Sequence, residues 1–553
     1  SLAMKLPALL LALAHLHGVL GLWPLPRSLQ TGSSALKLAS NFDIHVNIAH
    51  APSDLGSAIA RTKSFLKNDK LGRLVVGRGT LDSNVVQRAG SLRTLELSLA
   101  PGSPVRSITD EARLPIGTRS EEYALHIPAD GFTATLTANS TLGLLRGLTT
   151  FEQLWYEASG QVYTMETPVS ISDSPAYPFR GFMLDTSRNF FPVSDIQRTL
   201  DAMSWVKMSQ FHWHVTDSQS FPLEVPGFTE LASKGAYASS MVYSPQDVQD
   251  IVAYAGARGI DVMIEIDTPG HTAIISAAHP EHIACAEASP WTTFANEPPP
   301  GQLRLASPAT TNFTADLLAS VARMFPSSLM STGGDELNTE CYVQDPETQA
   351  DLKASGRTLE QALDVFTRTT HAAIRAEGKT PAVWEEMVLE HNVTLGNDTV
   401  VMVWISSANA AAVAAKNFRI VHGPSDFFYL DCGAGEWVGD DVANSWCDPF
   451  KTWQKSYTFD PQANISASQA HLVLGGEQLL WTEQSGPENL DSIVWPRAAS
   501  STEVFWSGPG GNSTTALPRL HDLAFRMRQR GVKAIPLQPL WCALREGQCN
   551  INS

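Results

Sequence analysis

The chain has 553 residues, 43% of them hydrophobic, a composition typical of a soluble globular protein and a length that predicts two domains. Its 39 lysine and arginine residues against 56 aspartate and glutamate residues give a formal net charge of −17. Because phosphate groups bind to basic surfaces, this charge argues against a nucleic-acid partner and suits a neutral or basic substrate.

An apolar segment near the N-terminus has the pattern of a secretory signal peptide. It begins at Met4 and Lys5, and a run rich in leucine and alanine continues to about Leu20. One positive charge before a short apolar stretch is typical of such signals, and the stretch is too short for a comfortable membrane span. We therefore predict a signal peptide over about residues 1–21, no membrane segment, and a secreted, extracellular protein.

The part of the chain over 22–176 predicts a small α+β domain. Alternating apolar residues indicate strands, and apolar residues at helical spacing indicate helices. The predicted elements are strands over 42–46, 92–99 and 123–127, and helices over 54–66 and 141–155. A polar loop is expected over 101–120. Since prolines interrupt both helices and strands, the domain boundary is expected at 173–178.

Apolar strands alternate with helical stretches over the second predicted domain, 177–553. About eight such repeats favour a (β/α)₈ TIM barrel, which carries its chemistry at the C-terminal ends of its strands. A doubly wound open sheet is the alternative, but the chain has no glycine-rich phosphate motif. The predicted helices cover 196–207, 245–258 and 310–324; the strands cover 181–185, 210–217 and 261–267, with later ends near Trp384, Trp404, His422 or Tyr429, and Trp481.

The most informative stretch of this domain is 329–336. A short apolar run there is followed by two glycines and then by two adjacent carboxylates, Asp335 and Glu336. Adjacent like charges stabilise poorly, but they suit a site where one acid holds a proton while the other stays ionised. Since neighbouring strand residues point to opposite faces, Asp335 and Glu336 are expected to point apart. Asp335 would then be badly placed to attack a sugar as the nucleophile while Glu336 acts as the acid. The structural alternative is a turn with two solvated acids.

Other predicted strands also end in polar or aromatic side chains. The fork of Arg188, close to Asp185 in the sequence, suits sugar hydroxyls as well as carboxylates. His212, His214 and His271 allow a metal-dependent hydrolase as an alternative, but a hydrogen-bonding role is more common, and we predict neither metal nor cofactor. Carboxylates and aromatic rings suit the hydroxyls and faces of a sugar; the candidates are Trp384, Trp404, Tyr429, Asp431, Trp481 and Glu483.

Five motifs together resemble family 20 of the glycoside hydrolases, the β-N-acetylhexosaminidases, with a likeness to secreted fungal enzymes. The motifs are Asp185-Thr186-Ser187-Arg188, His212-Trp213-His214-Val215-Thr216-Asp217, Asp267-Thr268-Pro269-Gly270-His271-Thr272, Gly333-Gly334-Asp335-Glu336, and Gly475-Gly476-Glu477 through Trp481-Thr482-Glu483. The resemblance implies an α+β domain before a (β/α)₈ barrel. It also implies an exo-acting, retaining enzyme that removes terminal GlcNAc, and GalNAc, from chitooligosaccharides or glycoconjugates.

The same resemblance implies a role for each motif residue. The substrate's 2-acetamido group would act as the nucleophile and form an oxazolinium ion, with Glu336 as general acid/base and Asp335 orienting the acetamide. Tyr429 would hydrogen-bond the acetamide oxygen, and Asp217 with His271 would adjust the pKa of the acid. The implied sugar-binding residues are Asp185, Arg188, Trp384, Trp404, Asp431, Trp481 and Glu483. A catalytically inactive sugar-binding barrel is the alternative.

Six cysteines and six Asn-x-Ser/Thr sequons support an oxidising, extracellular destination. Six cysteines allow fifteen disulfide pairings. No two of them have the CxxC spacing that is typical of zinc sites. The resemblance implies a homodimer and the disulfides Cys285–Cys341, Cys432–Cys447 and Cys542–Cys549. The sequons predict glycosylation at Asn139, Asn312, Asn392, Asn397, Asn464 and Asn512.

Overall fold

The computed structural model describes residues 21–552. A smaller α+β domain precedes a closed barrel of eight parallel strands, and this confirms the predicted fold class. Residues 1–20, on which the predicted signal peptide falls, lie outside the described residues.

The N-terminal domain is built on one six-stranded mixed sheet in the order β1-β2-β4-β3-β6-β5. Its strands are β1 (Ser28–Val46), β2 (Gly90–Leu99), β3 (Tyr123–Ile127), β4 (Phe132–Ala138), β5 (Tyr156–Ala158) and β6 (Gln161–Asp173). Its helices are α1 (Ser53–Asn68), α2 (Ser83–Arg88), α3 (Ile108–Ala112) and α4 (Thr141–Glu152), with a 3₁₀ turn at Thr80–Asp82. The predicted loop over 101–120 contains α3, whose N-cap Ser107 accepts a hydrogen bond from the Asp110 amide.

The second domain contains strands β7 to β16. Their bounds are β7 (Phe179–Asp185), β8 (Gln210–Thr216), β9 (Asp261–Ile266), β10 (Ile283–Ala284), β11 (Gln302–Leu303), β12 (Leu329–Ser331), β13 (Thr380–Trp384), β14 (Val400–Val403), β15 (Arg419–His422) and β16 (Val473–Leu480). The barrel closes in the order β7-β8-β9-β12-β13-β14-β15-β16, and β10 pairs with β11 in a separate two-stranded excursion. Of the two predicted ends for the seventh barrel strand, His422 is right, and Tyr429 follows a further short helix.

The barrel strands have almost entirely buried side chains, for example at all seven positions of β7 and β8 and all six of β9. A parallel strand is covered on one face by helices and on the other by the barrel interior, so it tolerates long apolar runs. Several polar side chains that interrupt these runs are paired with one another, as His212 is with Glu265 and Glu477.

Helices surround the barrel, and several begin with recognisable capping residues. Ser244 and Asp247 form a reciprocal capping box at the start of α7, where Pro245 is the first helical residue. The helices are α5 (Val193–Trp205), α6 (Thr229–Gly235), α7 (Pro245–Gly256), α8 (Trp291–Phe294), α9 (Pro308–Met324), α10 (Thr339–Gln344), α11 (Pro346–Ser355), α12 (Leu359–Ala376), α13 (Glu386–Leu389), α14 (Ala410–Ala415), α15 (Ser425–Phe428), α16 (Trp453–Tyr457), α17 (Leu490–Val494), α18 (Ala499–Ser507), α19 (Ser513–Gln529) and α20 (Leu540–Ala543).

Three disulfides join Cys285 to Cys341, Cys432 to Cys447, and Cys542 to Cys549, the same pairs that the resemblance implies. The asparagines of all six sequons are exposed, so each is accessible to a modifying enzyme. Within residues 21–552, none of the helices has both the length and the apolar character needed to cross a membrane.

Candidate active site

The C-terminal ends of the barrel strands enclose a cavity of about 680 Å³. Most of the predicted site residues line it, as the barrel geometry requires. They are Arg188, His271, Asp335, Glu336, Trp384, Trp404, Tyr429, Asp431, Trp481 and Glu483. Asp185 and Asp217 lie behind this lining, and both are fully buried.

Asp335 and Glu336 lie on a loop rather than on a strand, because β12 ends at Ser331. Gly333 and Gly334 turn the chain with φ angles of 66° and 101°, and a Cβ on Gly333 would lie 1.9 Å from Asp267 Oδ1. The expectation that the two acids point to opposite faces is therefore wrong, since the alternation of a strand does not extend to them. Both carboxylates line the cavity.

His271 connects the two acids to a buried carboxylate. Its Nδ1 lies 3.0 Å from Asp217 Oδ1, and its Nε2 lies 3.2 Å from Glu336 Oε2 and 3.5 Å from Asp335 Oδ2. Burial opposes the charge of His271, but the carboxylates of Asp217 and Asp335 outweigh it and hold its pKa well above the usual range. His271 is therefore an imidazolium at neutral pH.

The imidazolium has an unequal effect on the two acids. Burial favours the protonated form of Glu336, yet the hydrogen bond and charge of His271, together with Asn296 and the charge of Arg188, outweigh burial and lower the pKa of that carboxyl. Burial raises the pKa of Asp335 despite the nearby charge of His271. Burial and the charge of Asp335 together raise the pKa of Asp267 well above its usual range. A proton shared by Asp335 and Asp267 follows from these shifts.

The histidines of β8 continue this chain of charges into the barrel. His214 bridges Asp217 at 2.8 Å and Glu265 at 2.5 Å, and His212 bridges Glu265 at 2.8 Å and Glu477 at 3.0 Å. Burial opposes the charge of His212, but Glu477 and Glu265 outweigh it and raise the pKa to about 9. Both rings therefore donate from both nitrogens.

This pairing bears on the metal-dependent alternative. Of the groups in which three candidate ligand atoms lie within 4.8 Å of one another, two contain His271, namely Asp217 with His271 and Glu297, and Asp267 with His271 and Asp335. In both groups the imidazolium of His271 donates from both nitrogens and offers no lone pair to a metal. The geometry instead favours the hydrogen-bonding role for the three histidines.

Arg188 lies among four carboxylates. It contacts Asp185 at 3.0 Å, Asp217 at 3.1 Å and Glu483 at 3.4 Å, and it forms a short ion pair with Glu297. The guanidinium also lies 5.2 Å from the ring centroid of Trp481. Burial raises the pKa of Glu483 well above its usual range in spite of Arg188. The site thus holds carboxyl groups in both protonation states beside one fixed cation.

The structure corrects the predicted role of Asp185 as a sugar-binding residue. Its carboxylate is completely buried and accepts hydrogen bonds from the backbone amides of Ser187 at 2.9 Å and Thr482 at 3.2 Å. It also accepts from Arg188, so Asp185 positions the arginine and the strand end from behind the cavity wall. The sequence motif could not distinguish binding a sugar from positioning Arg188, because an aspartate beside this arginine suits both roles.

Aromatic rings form one wall of the cavity. Trp404 stacks on Tyr429 with ring centroids 6.3 Å apart and an interplanar angle of 10°, and Trp481 lies 6.1 Å from Trp384. Trp446, which the sequence analysis missed, meets Trp404 edge-on at 5.7 Å. Its loop is closed by the Cys432–Cys447 disulfide, which is a long-range constraint that local patterns do not reveal.

Two further acids at the site were also missed. Glu297 lies on the excursion that contains β10 and β11, and it lines the cavity beside Arg188. Glu386 accepts hydrogen bonds from Trp404 Nε1 at 2.8 Å and from the Glu336 amide at 3.4 Å. Burial, together with the charge of Asp335, raises the pKa of Glu386 to about 9.

Two buried carboxylate oxygens, Asp335 Oδ1 and Asp431 Oδ1, lack a hydrogen-bond partner in the described part of the chain. Burial raises the pKa of Asp431 to about 7. Buried polar atoms are rarely left unsatisfied unless a ligand or water completes them. Both residues line the cavity, so both oxygens are available to the N–H or O–H groups of a ligand.

Residues 177–509 match the family described as glycosyl hydrolase family 20, catalytic domain, and residues 22–154 match the domain described as beta-acetyl hexosaminidase like. The chain belongs to glycosyl hydrolase family 20. This confirms the resemblance and makes the protein a glycoside hydrolase. The alternative of a catalytically inactive sugar-binding barrel is not supported.

Relatives in other organisms agree with the family assignment. The chain is 35% identical over 458 residues to a beta-hexosaminidase of the fungus Arthroderma benhamiae, covering 78% of this chain and 74% of the relative. It is also 35% identical over 448 residues to a chitooligosaccharidolytic beta-N-acetylglucosaminidase of Bombyx mori, with the same two coverages. A family 20 exo beta-N-acetylglucosaminidase from Vibrio harveyi shares the fold, with a TM-score of 0.74, 22% identity, and coverage of 94% of this chain and 78% of that one.

Proposed function

We propose that this family 20 enzyme is an exo-acting, retaining β-N-acetylhexosaminidase for terminal GlcNAc and GalNAc of chitooligosaccharides or glycoconjugates. The observation that carries the proposal is the placement of Asp335 and Glu336 side by side in one cavity, with His271 and Asp217 behind them. The β-hexosaminidase and chitooligosaccharidolytic relatives support this substrate class. The geometry suits catalysis in which the substrate supplies its own nucleophile.

Glu336 is the general acid in this proposal, although its pKa is lowered while His271 donates to it. A bound sugar displaces water from the pair, and desolvation disfavours two opposite charges relative to the neutral pair. His271 Nε2 lies 3.2 Å from Glu336 Oε2, and its proton can then move to the carboxylate. Glu336 next protonates the glycosidic oxygen as the bond to the anomeric carbon breaks.

Asp335 and Tyr429 would handle the acetamide. The acetamide oxygen attacks the anomeric carbon as the aglycone leaves, and the nitrogen gains positive charge. Asp335 would accept the acetamide N–H through its unpartnered Oδ1 and stabilise that charge. The Tyr429 hydroxyl, on the same cavity wall, would donate to the attacking oxygen and fix its direction. Water activated by Glu336 then opens the oxazolinium ion, and the anomeric configuration is retained.

The remaining cavity residues would bind the sugar. Arg188, Asp431 and Glu483 present a fixed cation and carboxyl groups to the ring hydroxyls. Trp384, Trp404 and Trp481 would enclose the acetamide methyl and pack against the sugar face.

A single assay tests the proposed activity. The purified chain is incubated with chitobiose and with aryl β-glycosides of GlcNAc and GalNAc, and the product anomer is followed by NMR before it equilibrates. We expect hydrolysis of all three substrates with the β-anomer formed first. Lack of hydrolysis, or the α-anomer as first product, would contradict the proposal.

Secretion and a homodimer belong to the same proposal. Three disulfides and six exposed sequons support an extracellular destination. The homodimer rests on the resemblance to the family. Comparison of the chain in culture medium and in cells, with glycan analysis, tests secretion, and an unglycosylated chain retained in cells would contradict it. Light scattering of the purified protein tests the dimer, and the mass of a monomer would contradict it.

A further inference from the structure

A cluster of metal-ligand side chains lies outside the sugar cavity, on the excursion between β9 and α9. His279, Glu281 and His282 belong to one short turn around the 3₁₀ helix Pro280–His282. Each offers one ligand atom, and the three atoms lie within 4.8 Å of one another. We propose that this turn binds a zinc ion, with His279 Nδ1, His282 Nε2 and Glu281 Oε1 as ligands.

The distances within the turn suit a tetrahedral ion. His279 Nδ1 lies 3.2 Å from Glu281 Oε1, and His282 Nε2 lies 3.9 Å from the same oxygen. Zinc bonds of about 2.0–2.1 Å in tetrahedral geometry place two ligand atoms about 3.3–3.4 Å apart. Small side-chain rotations therefore bring the three atoms to zinc, and a water molecule completes four-coordination.

The second nitrogen of each histidine already has a partner. His279 Nε2 lies 2.9 Å from Glu230 Oε1 on α6, and His282 Nδ1 lies 2.9 Å from Thr310 Oγ1 on α9. Metal-binding histidines usually donate their other N–H to such acceptors, which fixes the tautomer and the ring orientation. In that tautomer the lone pairs of His279 Nδ1 and His282 Nε2 would be available to the ion. Without the ion, His279 Nδ1 hydrogen-bonds Glu281 Oε1 at 3.2 Å, and zinc would replace that proton.

Aromatic packing limits the motion of both rings. Phe313 stacks on His282 with centroids 4.3 Å apart, and it lies 5.0 Å from His279. The Glu281 side chain is 60% exposed, whereas that of His282 is 11% exposed. The rings are thus held in place while the carboxylate leaves an entry path for an ion.

The surrounding charges set the pH dependence of the site. The cluster is flanked by charges of both signs, namely the Arg304 guanidinium and the carboxylates of Glu230 and Glu281. Arg304 donates to the Glu281 carbonyl at 2.9 Å and pairs with Asp345 and Glu347. Its charge opposes zinc, whereas Glu230 and Glu281 favour it. Because zinc replaces protons on the histidines, its affinity falls as pH falls.

A zinc ion here would fasten an excursion that contributes to the sugar cavity. The turn leads directly into β10 and then to Cys285, whose disulfide partner Cys341 lies on α10. Glu297, which lines the cavity, follows on the same excursion. The zinc ligands and their hydrogen-bond partners would connect this excursion to α6 and α9. The expected role of the ion is therefore to stabilise the fold, and it is independent of the proposed catalytic function.

The direct test is zinc binding by the full chain after dialysis against chelator. Calorimetry with zinc chloride should show about one ion per chain, and zinc should raise the thermal midpoint. His279→Gln and His282→Gln should each abolish this binding. Thr310→Val removes only the partner of His282 and should weaken binding by about 10–100-fold.

His45→Gln is the matched control, because His45 is an exposed histidine 3.8 Å from Asp43 and outside the cluster. It should bind zinc as the parent chain does. Cobalt(II) in place of zinc should give the visible absorption of a four-coordinate site, which keeps the test independent of any variant's folding. Lack of zinc uptake, uptake unchanged in both histidine variants, or a six-coordinate cobalt spectrum would overturn the proposal.

Discussion

At the scale of single residues, the active site depends on where each proton is held. His271 keeps its proton between Asp217 and Glu336, while burial favours the protonated forms of Asp335 and Asp267. Two adjacent acids thereby differ in protonation, but in the ligand-free site the carboxyl of Asp335, not that of Glu336, favours the proton. The proposed chemistry therefore requires the His271 proton to move to Glu336 when the sugar binds, and the proton shared with Asp335 to stay on Asp267. The difference arises from the neighbours of each carboxyl group rather than from its own chemistry.

Replacing the proposed acid, Glu336→Gln, should lower kcat by about 10²–10⁴-fold for a substrate with a poor leaving group, since general acid catalysis contributes that much. An activated aryl leaving group needs less protonation, so the kcat of Glu336→Gln for an aryl substrate should fall by a smaller factor. Glu347→Gln, an exposed acid on α11, is the control and should leave both rates unchanged. Equal rates for the parent chain and Glu336→Gln with chitobiose would refute the assignment.

Glu386 predicts a change in the pH dependence of stability. Its pKa is about 9 in the folded chain against 4.5 in its ordinary state, so folding takes up a proton between these values. Its contribution to stability therefore falls as pH rises from 4.5 to about 9. Thermal midpoints of Glu386→Gln should decline less steeply over that range than those of the parent chain. Glu390→Gln is the neighbouring control, and a slope for Glu386→Gln equal to that of the parent chain would argue against the prediction.

The motif residues Asp335, Glu336 and Arg188 line the cavity, and their roles there stay predictions; Glu297 and Glu386 were missed. Asp335, Glu336 and Arg188 follow strand ends, and a barrel brings all strand ends to one rim. Glu297 reaches the cavity through an excursion of the chain, and Glu386 approaches Glu336 through the packing of two neighbouring loops. Neither contact is encoded in local periodicity.

At the scale of elements, β8 and β9 carry a buried chain of alternating charges. Glu265 accepts hydrogen bonds from His212, His214, Ser331 Oγ and Trp384 Nε1. It links two barrel strands to the loop that carries the acids and to one aromatic wall. Its position is therefore set by four side chains, and its charge is balanced by two imidazolium rings.

Glu265→Gln should destabilise the chain by about 3–5 kcal/mol, because it leaves two buried imidazolium rings without their shared carboxylate. The loss should be largest between pH 4.5 and 6.5. Below that window Glu265 becomes protonated on unfolding, and above it the charge on His212 is lost as pH approaches its folded pKa of about 9.

Denaturant unfolding at several pH values measures this effect. Glu360→Gln is the matched control, since Glu360 also pairs with a histidine, His391 at 3.0 Å, but is 43% exposed. It should cost about 0–1 kcal/mol. A loss for Glu265→Gln no greater than that of the control would show that the buried chain carries little stability.

The Cys432–Cys447 disulfide closes a loop with a sequence separation of 15, and this loop carries Trp437 and Trp446 to the cavity. Replacing both cysteines by serine should cost about 3 kcal/mol in the loop-entropy account and raise KM, since the aromatic side chains lose their constraint. The pair Cys542–Cys549, with a separation of 7, is the control and should leave KM unchanged. An unaltered KM in the Cys432/Cys447 double variant would show that this disulfide does not contribute to substrate binding.

Element prediction failed where large apolar residues are sparse or proline intervenes. β4 alternates largely with threonine and alanine, and β6 contains Pro168, which argues against a strand in a local reading. Both strands form because the six-stranded sheet supplies their hydrogen-bonding partners. β4 pairs with β2 and β3, whereas β6 pairs with β1, β3 and β5. The barrel strands were easier to predict, since both their faces are buried and their sequences are almost continuously apolar.

At the scale of the whole molecule, the two domains share a buried ionic interface. Glu121 of the N-terminal domain contacts Arg146 at 2.9 Å and Arg180 of β7 at 2.6 Å. From the C-terminal part, Arg526 on α19 donates to the carbonyl of Trp155 at 2.9 Å. The N-terminal domain therefore packs against the barrel at the start of β7. The predicted boundary itself stays a prediction.

In the proposed mechanism the substrate's acetamide is the nucleophile, and Asp335 and Glu336 both act on it. The decisive measurement is kcat/KM for aryl N-acetylglucosaminides whose acetyl methyl carries zero to three fluorines, at constant leaving group. Fluorine withdraws electrons from the carbonyl oxygen, so each addition should slow the reaction steeply, in proportion to the lost basicity of that oxygen. A rate that does not respond to fluorination, together with a sugar covalently trapped on an aspartate or glutamate, would contradict substrate-assisted catalysis.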